Sequence, residues 1–216
     1  MTLVRLFILT LAFAILTGCQ TYTKVEKTTI VSDEKNFVIE GPKGWIRANN
    51  FNDAINVKGT DGKLKNVSAD QVVLTRDGLA LQYIKVTYLK HDNAFPAIDK
   101  KSNNNLLTVE LADLAIAEMK AGEGIENLKV LEISSSKISH HEAYKLVVQY
   151  KNEKGLRFNR LVYGFVNKHG YYTLTFQAPF LYYYSRDLSN FERVVHTFKL
   201  STNLKSASLI SRGQNT

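Results

Sequence analysis

The sequence predicts an α+β domain, an antiparallel β-sheet flanked by helices, and three stretches carry that prediction. Residues 143–178 read as three β segments joined by tight turns. Residues 106–119 change to a helical period, and residues 188–198 do so again behind Ser189-Asn190-Phe191-Glu192, a capping-box pattern.

Taken in order, Thr28–Val31 is an edge-strand candidate and Phe37-Val38-Ile39 a short strand, ended by the turn chemistry of Gly41-Pro42-Lys43-Gly44. Asp61-Gly62 and Asp77-Gly78 mark further turns. Val72–Thr75 and Leu79–Leu89 are rich in β-branched and aromatic residues and read as strands. Leu107, Leu111, Leu114, Ala115 and Met119 then fall three or four apart on one helical face, with Asn105 as N-cap and Gly122 as stop. Leu128–Ile133 is a strand candidate.

The meander follows. Tyr144, Leu146, Val148 and Tyr150 share one face of the first segment, and 152–155 turns it into Arg157–Val166. Residues 167–170 turn that into Tyr171–Ala178. There Tyr172, Leu174, Phe176 and Ala178 alternate with Tyr171, Thr173, Thr175 and Gln177, which predicts one packed face and one more polar face. Pro179 stops this strand. Leu188, Phe191, Val194, Val195 and Phe198 form the stripe of the closing helix, and residues 201–216 read as a flexible tail.

The amino terminus reads as an address. Arg5 precedes an apolar run from Leu6 to Leu16, too short for the about 20 residues of a membrane-spanning helix. A basic start, a short apolar middle and a small-residue end make a secretory signal. Leu16-Thr17-Gly18-Cys19 resembles the lipobox of bacterial lipoproteins, and Cys19 is the only cysteine. The resemblance implies cleavage between Gly18 and Cys19 and fatty acyl chains on Cys19. Two or three such chains hold a protein firmly to a bilayer. Gln20 stands where an Asp would retain some Gram-negative lipoproteins at the inner membrane, which favours the outer membrane in such a source. Residues 19–35 then read as the lipidated cysteine and a polar tether, spanning roughly 50 Å if stretched, and residues 36–200 as the domain.

The chain of 216 residues carries a net charge of +8, and cleavage after Gly18 removes Arg5 alone among charged residues. The basic residues are dispersed, with no run beyond two, so the stripe that nucleic acid requires is missing and export removes that target. His140-His141-Glu142 invites a metal, but a zinc site needs three or four converging ligands, and adjacent strand residues point to opposite faces. The cluster therefore reads as a solvated strand start. Ser134-Ser135-Ser136 reads as a polar turn, and Gly122-Glu123-Gly124 lacks the third glycine of a phosphate loop. No catalytic residue, metal ligand or cofactor is assigned. Tyr182, Tyr183 and Tyr184, beside Arg186, form either a binding surface or a cover over the end of the sheet.

Three motifs carry a further resemblance: Pro42, Gly44 and Trp45 after the short strand, Gly170–Pro179 (GYYTLTFQAP), and Thr197-Phe198 closing the last helix. Together they are similar to the PsbP-like group. The group comprises the extrinsic PsbP subunit of photosystem II, a yeast Ran-binding nuclear protein and many bacterial envelope lipoproteins. The resemblance implies an α/β/α sandwich and no common active site. The resulting expectation is a non-enzymatic, membrane-anchored envelope lipoprotein facing the periplasm, an accessory or assembly factor that binds another envelope component. The alternatives are a small-molecule or metal carrier or sensor, with its ligand between sheet and helix, and a hydrolase.

Overall fold

The computed structural model describes residues 22–25, 29–49, 54–122 and 124–201. Its strands are β1 (Tyr22–Lys24), β2 (Thr29–Val31), β3 (Phe37–Glu40), β4 (Ile46–Ala48), β5 (Ala54–Lys58), β6 (Leu64–Ser68), β7 (Asp70–Thr75), β8 (Tyr83–Leu89), β9 (Glu126–Ile138), β10 (His141–Lys151), β11 (Arg157–Asn167), β12 (Gly170–Pro179) and β13 (Lys199–Leu200). Its helices are α1 (Thr108–Ala121) and α2 (Tyr183–Thr197). Among the described residues, eight strands pair in the order β1-β4-β7-β8-β12-β11-β10-β9, antiparallel throughout. A small sheet, β13-β3-β2, and a hairpin, β5-β6, complete the set.

Strand alternation divides the large sheet into two faces. On one, Leu161, Phe165, Leu174, Phe176 and Ile84 are buried with Phe37, Trp45 and the α2 residues Phe191, Val194 and Val195. On the other, Tyr144, Leu146, Val148 and Val162 are buried with Leu111, Ala112, Ala115 and Met119 of α1. The expected segregation of Tyr172, Leu174 and Phe176 from Tyr171, Thr173 and Thr175 is therefore that of the α2 side from the α1 side.

Several boundaries differ from the expectation. The stretch read as a tether is partly built into the sheets: β1 pairs with β4, and β2 pairs with β3, burying Ile30 and Ser32. Backbone pairing and one apolar side chain outweigh its polar composition, so the fold begins ahead of residue 36. Leu79–Leu81 form a turn, with the N–H groups of Leu81 and Gln82 donating to the Gly78 carbonyl, and β8 starts only at Tyr83. Ser134, Ser135 and Ser136 are not a turn. They extend β9 opposite Lys145, Tyr144 and Ala143, because β10 offers a continuous row of backbone partners.

The helix ends also move. α1 starts after Leu107, whose N–H donates to Glu110 Oε2 at 2.8 Å, so Asn105 lies outside the cap. Gly122 ends α1 as expected, in extended backbone. α2 begins six residues before Ser189, which places the capping-box pattern inside the helix. Tertiary packing decides this start. Tyr184 stacks on Phe176 at 5.4 Å, and Asp187 is fully buried, held by Arg76 at 3.1 Å and by Arg186.

Candidate ligand-binding cleft

α1 packs chiefly over β9, β10 and β11. Beyond it, the same face of β7, β8 and β12 is roofed by the β5-β6 hairpin and the 94–97 loop, and a cavity of about 790 Å³ lies between. That volume is within the roughly 300–1,000 Å³ of small-molecule sites. The strand register lays out the floor. Gln71, Thr87 and Thr173 form one row, Val73, Lys85, Thr175 and Val162 the next, and Tyr83, Gln177 and Arg160 a third. Phe95, Pro96, Ala115 and Met119 make an apolar wall, with Ile55 and Val57 above.

Arg160 is the distinctive group of this floor. Its Nε donates to Gln177 Oε1 at 2.9 Å, and its Nη2 to the same oxygen at 2.5 Å and to Tyr150 Oη at 3.3 Å. The guanidinium also lies 5.1 Å from the Tyr150 ring centroid. All these partners are neutral. Burial pushes the Tyr150 hydroxyl up from its ordinary range, so it stays protonated beside the cation. Lys85, half-buried on β8, has no acidic partner among the described residues either. Thr87 Oγ1 is buried without a hydrogen-bond partner.

The far end of the cleft carries the opposite charge. Glu118 of α1 accepts N–H donations from Ala97 (2.9 and 3.0 Å) and Ile98 (3.2 Å), which ties the 94–98 loop to the helix. Desolvation raises its pKa above the ordinary carboxylate value. Nearby, Tyr144 and Tyr171 share a buried hydroxyl pair, 2.5 Å between oxygens, and burial pushes both hydroxyls well up. The hairpin roof is latched at its side: Asp99 accepts from Thr60 Oγ1 and pairs with Lys65, and Gln71 Nε2 donates to the Ala54 carbonyl at 3.1 Å. A fixed cation, a lysine and a row of hydroxyls can hold and orient a polar molecule. Among the described residues of the lining the one carboxylate, Glu118, is already engaged by backbone.

The residues singled out in the sequence lie elsewhere. Gly18 and Cys19 lie outside the described residues. Tyr182 is 66% exposed at the β12-α2 corner, next to exposed Phe180 and Leu181. Tyr183 and Tyr184 pack against the α2-side core. Arg186 sits 5.2 and 4.9 Å from the Tyr182 and Tyr183 ring centroids, and it also pairs with Asp77 and Asp187. The run is thus an exposed tip, Tyr182, on a base of Tyr183 and Tyr184 that covers the α2-side core. His140 lies in the β9-β10 turn, where it and Ser139 take positive φ. His141 stacks on Phe165 at 4.9 Å, and Glu142 pairs with Lys137 at 2.9 Å. Among the described residues, no three His, Cys, Asp or Glu side chains gather as a metal would require. Sequence reasoning missed Arg160 and Lys85, although a lone arginine between Asn159 and Leu161 in a strand due for burial was a visible signal.

The arrangement of sheet and helices has a counterpart among solved structures. Cyanobacterial PsbP (CyanoP) of Synechocystis sp. PCC 6803 superposes with a TM-score of 0.50 at 13% identity, over 86% of this chain and 95% of that one. The fold is PsbP-like. LpqN of Mycobacterium tuberculosis, involved in cell envelope biogenesis, also matches, with a TM-score of 0.40 at 9% identity, over 80% of this chain and 89% of that one. No family model matches the sequence, and a comparison with curated proteins finds no match. The PsbP-like architecture agrees with the resemblance drawn from Trp45 and Gly170–Pro179. At these identities it is a likeness of fold.

Proposed function

We propose that this chain is a non-enzymatic binding protein of the bacterial envelope, tied to a membrane through acyl chains on Cys19, and that its α1-side cleft takes a small-molecule ligand. The observation that carries the reading is the 790 Å³ cavity with Arg160 and Lys85 in its floor. Its lining supports binding rather than turnover: hydroxyls, amides and cations, with Glu118 occupied by two backbone N–H groups. The lipobox-like residues 16–19 support the anchor, and outer-membrane attachment facing the periplasm follows if the source is Gram-negative. The short distance from Cys19 to β1, three residues or at most about 10 Å, keeps the domain close to its bilayer.

Native mass spectrometry of the mature chain tests the cleft. A retained stoichiometric occupant that is lost when Thr175→Trp fills the floor is expected, and an empty cleft in protein taken gently from its own membrane refutes the reading. Labelling with radioactive palmitate tests the anchor, since Cys19→Ser should abolish incorporation. A second reading rests on the exposed Phe180-Leu181-Tyr182 tip as a docking point for another envelope component. A photo-crosslinker at position 181 should then capture one specific envelope partner.

A further inference from the structure

We infer, building on the cleft-binding reading above, that the ligand is an organic oxyanion, a carboxylate or phosphate joined to an apolar body, with its acidic group against Arg160 and Lys85. Among the described cleft residues the cations are Lys58, Lys85 and Arg160, and Glu118 is the one carboxylate. The two signs stand at opposite ends. Arg160 belongs to the Tyr83-Gln177 row, whereas Glu118 caps the loop by Ala97, next to the Leu89-Tyr171 row. Tyr83 and Leu89 are separated by about 20 Å of strand.

Arginine carries five N–H donors in a planar fork that matches carboxylate and phosphate oxygens. Here Nε and one terminal nitrogen are satisfied by neutral oxygens, while Nη1 has no protein acceptor among the described residues. Gln177 and Tyr150 thus orient the fork without neutralising it. Arg160 is half-buried, and a charge drawn part-way out of water is favoured by a partner of opposite sign. Lys85 lies diagonally across from Arg160 on the same face, one row along through Thr175. Two cations aimed at one space, with no acid paired to either among the described residues, specify an anion. The Phe95, Pro96 and Met119 wall specifies an apolar remainder.

The test uses the mature chain carrying Cys19→Ser, so that its own acyl groups do not compete. Decanoate, decyl phosphate, inorganic phosphate and decan-1-ol are titrated by calorimetry and thermal shift. At least one decyl anion should bind about tenfold or more tightly than decan-1-ol, the discrimination expected of a charge-assisted fork. Arg160→Met, which keeps the alkyl stem on Tyr150, should remove that preference. Lys85→Met should weaken it severalfold with an unchanged melting temperature, which guards against misfolding of the arginine variant. Competition by inorganic phosphate alone would identify the free anion as source, and tighter binding of the decyl anions a lipid-like molecule. Equal binding of decan-1-ol and the acids overturns the anion assignment and leaves the cleft reading standing. No binding by any of the four, with an empty cleft in native mass spectra, overturns both.

Discussion

Gly164 of β11 lies opposite Tyr144 of β10 and Thr173 of β12, where the Tyr144 ring crosses the backbone beside the cleft floor. A Cβ built at this glycine would stand 2.5 Å from Cε1, Cζ and Oη of Tyr144. Carbon atoms in ordinary contact keep about 3.5–4.0 Å, so Gly164→Ala requires the ring to move by more than an ångström. Tyr144 is 1% exposed and bonded to Tyr171 Oη, which leaves it nowhere to go without breaking that pair. Overpacking of this kind costs about 1–3 kcal/mol, and the lost hydroxyl bond about 0.5–1.5 kcal/mol. Alanine's preference over glycine in a strand returns about 0.5–1 kcal/mol. The net expectation is about 2 kcal/mol of destabilisation. Urea unfolding followed through the buried Trp45 should show the midpoint falling by about 1 M at unchanged slope. Tyr144→Leu opens the space, so the Tyr144→Leu/Gly164→Ala double variant should be more stable than the two single losses combined, by about 1 kcal/mol. A wild-type midpoint for Gly164→Ala, or strict additivity in the double variant, would refute the close-contact reasoning.

The β12-α2 corner separates a structural arginine from an exposed ring. Arg186→Met strips a charged partner from fully buried Asp187 and should cost about 2 kcal/mol by urea titration, while Tyr182→Ala should stay within about 0.5 kcal/mol. Glu118 has a raised carboxyl pKa, so the folded state binds its proton more tightly than the unfolded chain. Its contribution is intact below about pH 4.5 and is lost as pH rises through the elevated value, and Glu118→Gln should flatten that segment of a stability-pH curve. Asp99→Ala releases Thr60 and Lys65 together, and should speed amide hydrogen exchange in residues 54–68 with little change in β10-β12.

What could be read from the sequence was what repeats at short range. The alternation through Tyr171–Ala178 gave both faces of β12, and the 3–4 spacing from Leu107 to Met119 gave α1, because side-chain periodicity is a local consequence of backbone geometry. The misread boundaries were those settled by distant partners. Ser134–Ser136 are polar enough to suggest a turn, yet β10 holds them in β9. Ser189 and Glu192 match a cap, yet Phe176 and Arg76, far away in sequence, draw the helix back to Tyr183. The cleft escaped for the same reason: Lys85, Arg160 and Glu118 come from β8, β11 and α1, and no spacing along the chain announces that they face one space. The threonine row was legible, but as the polar side of a strand and not as the floor of a cavity.

That floor also explains why a cleft arises on this side of the sheet. Eight strands at about 4.8 Å spacing span about 34 Å, while a helix with its side chains is about 10–12 Å across. A lone helix therefore covers two or three strands. On the α2 side, the β13-β3-β2 sheet adds Phe37, Ile39 and Leu200 to the core beside α2. On the α1 side the supplementary cover is a hairpin held by Asp99 and by Gln71, which sets Ile55 and Val67 against the α1-side core and leaves the cavity beside them unfilled. Geometry accounts for the gap, but not for what lines it. Threonines alone would have kept a wetted floor satisfied, so a guanidinium fixed by neutral partners and facing that gap is an addition that the fold does not require. Under the anion-binding proposal such a group would gain its counter-charge only in the occupied domain, so a bound anion should raise the unfolding midpoint of the wild-type chain more than that of Arg160→Met.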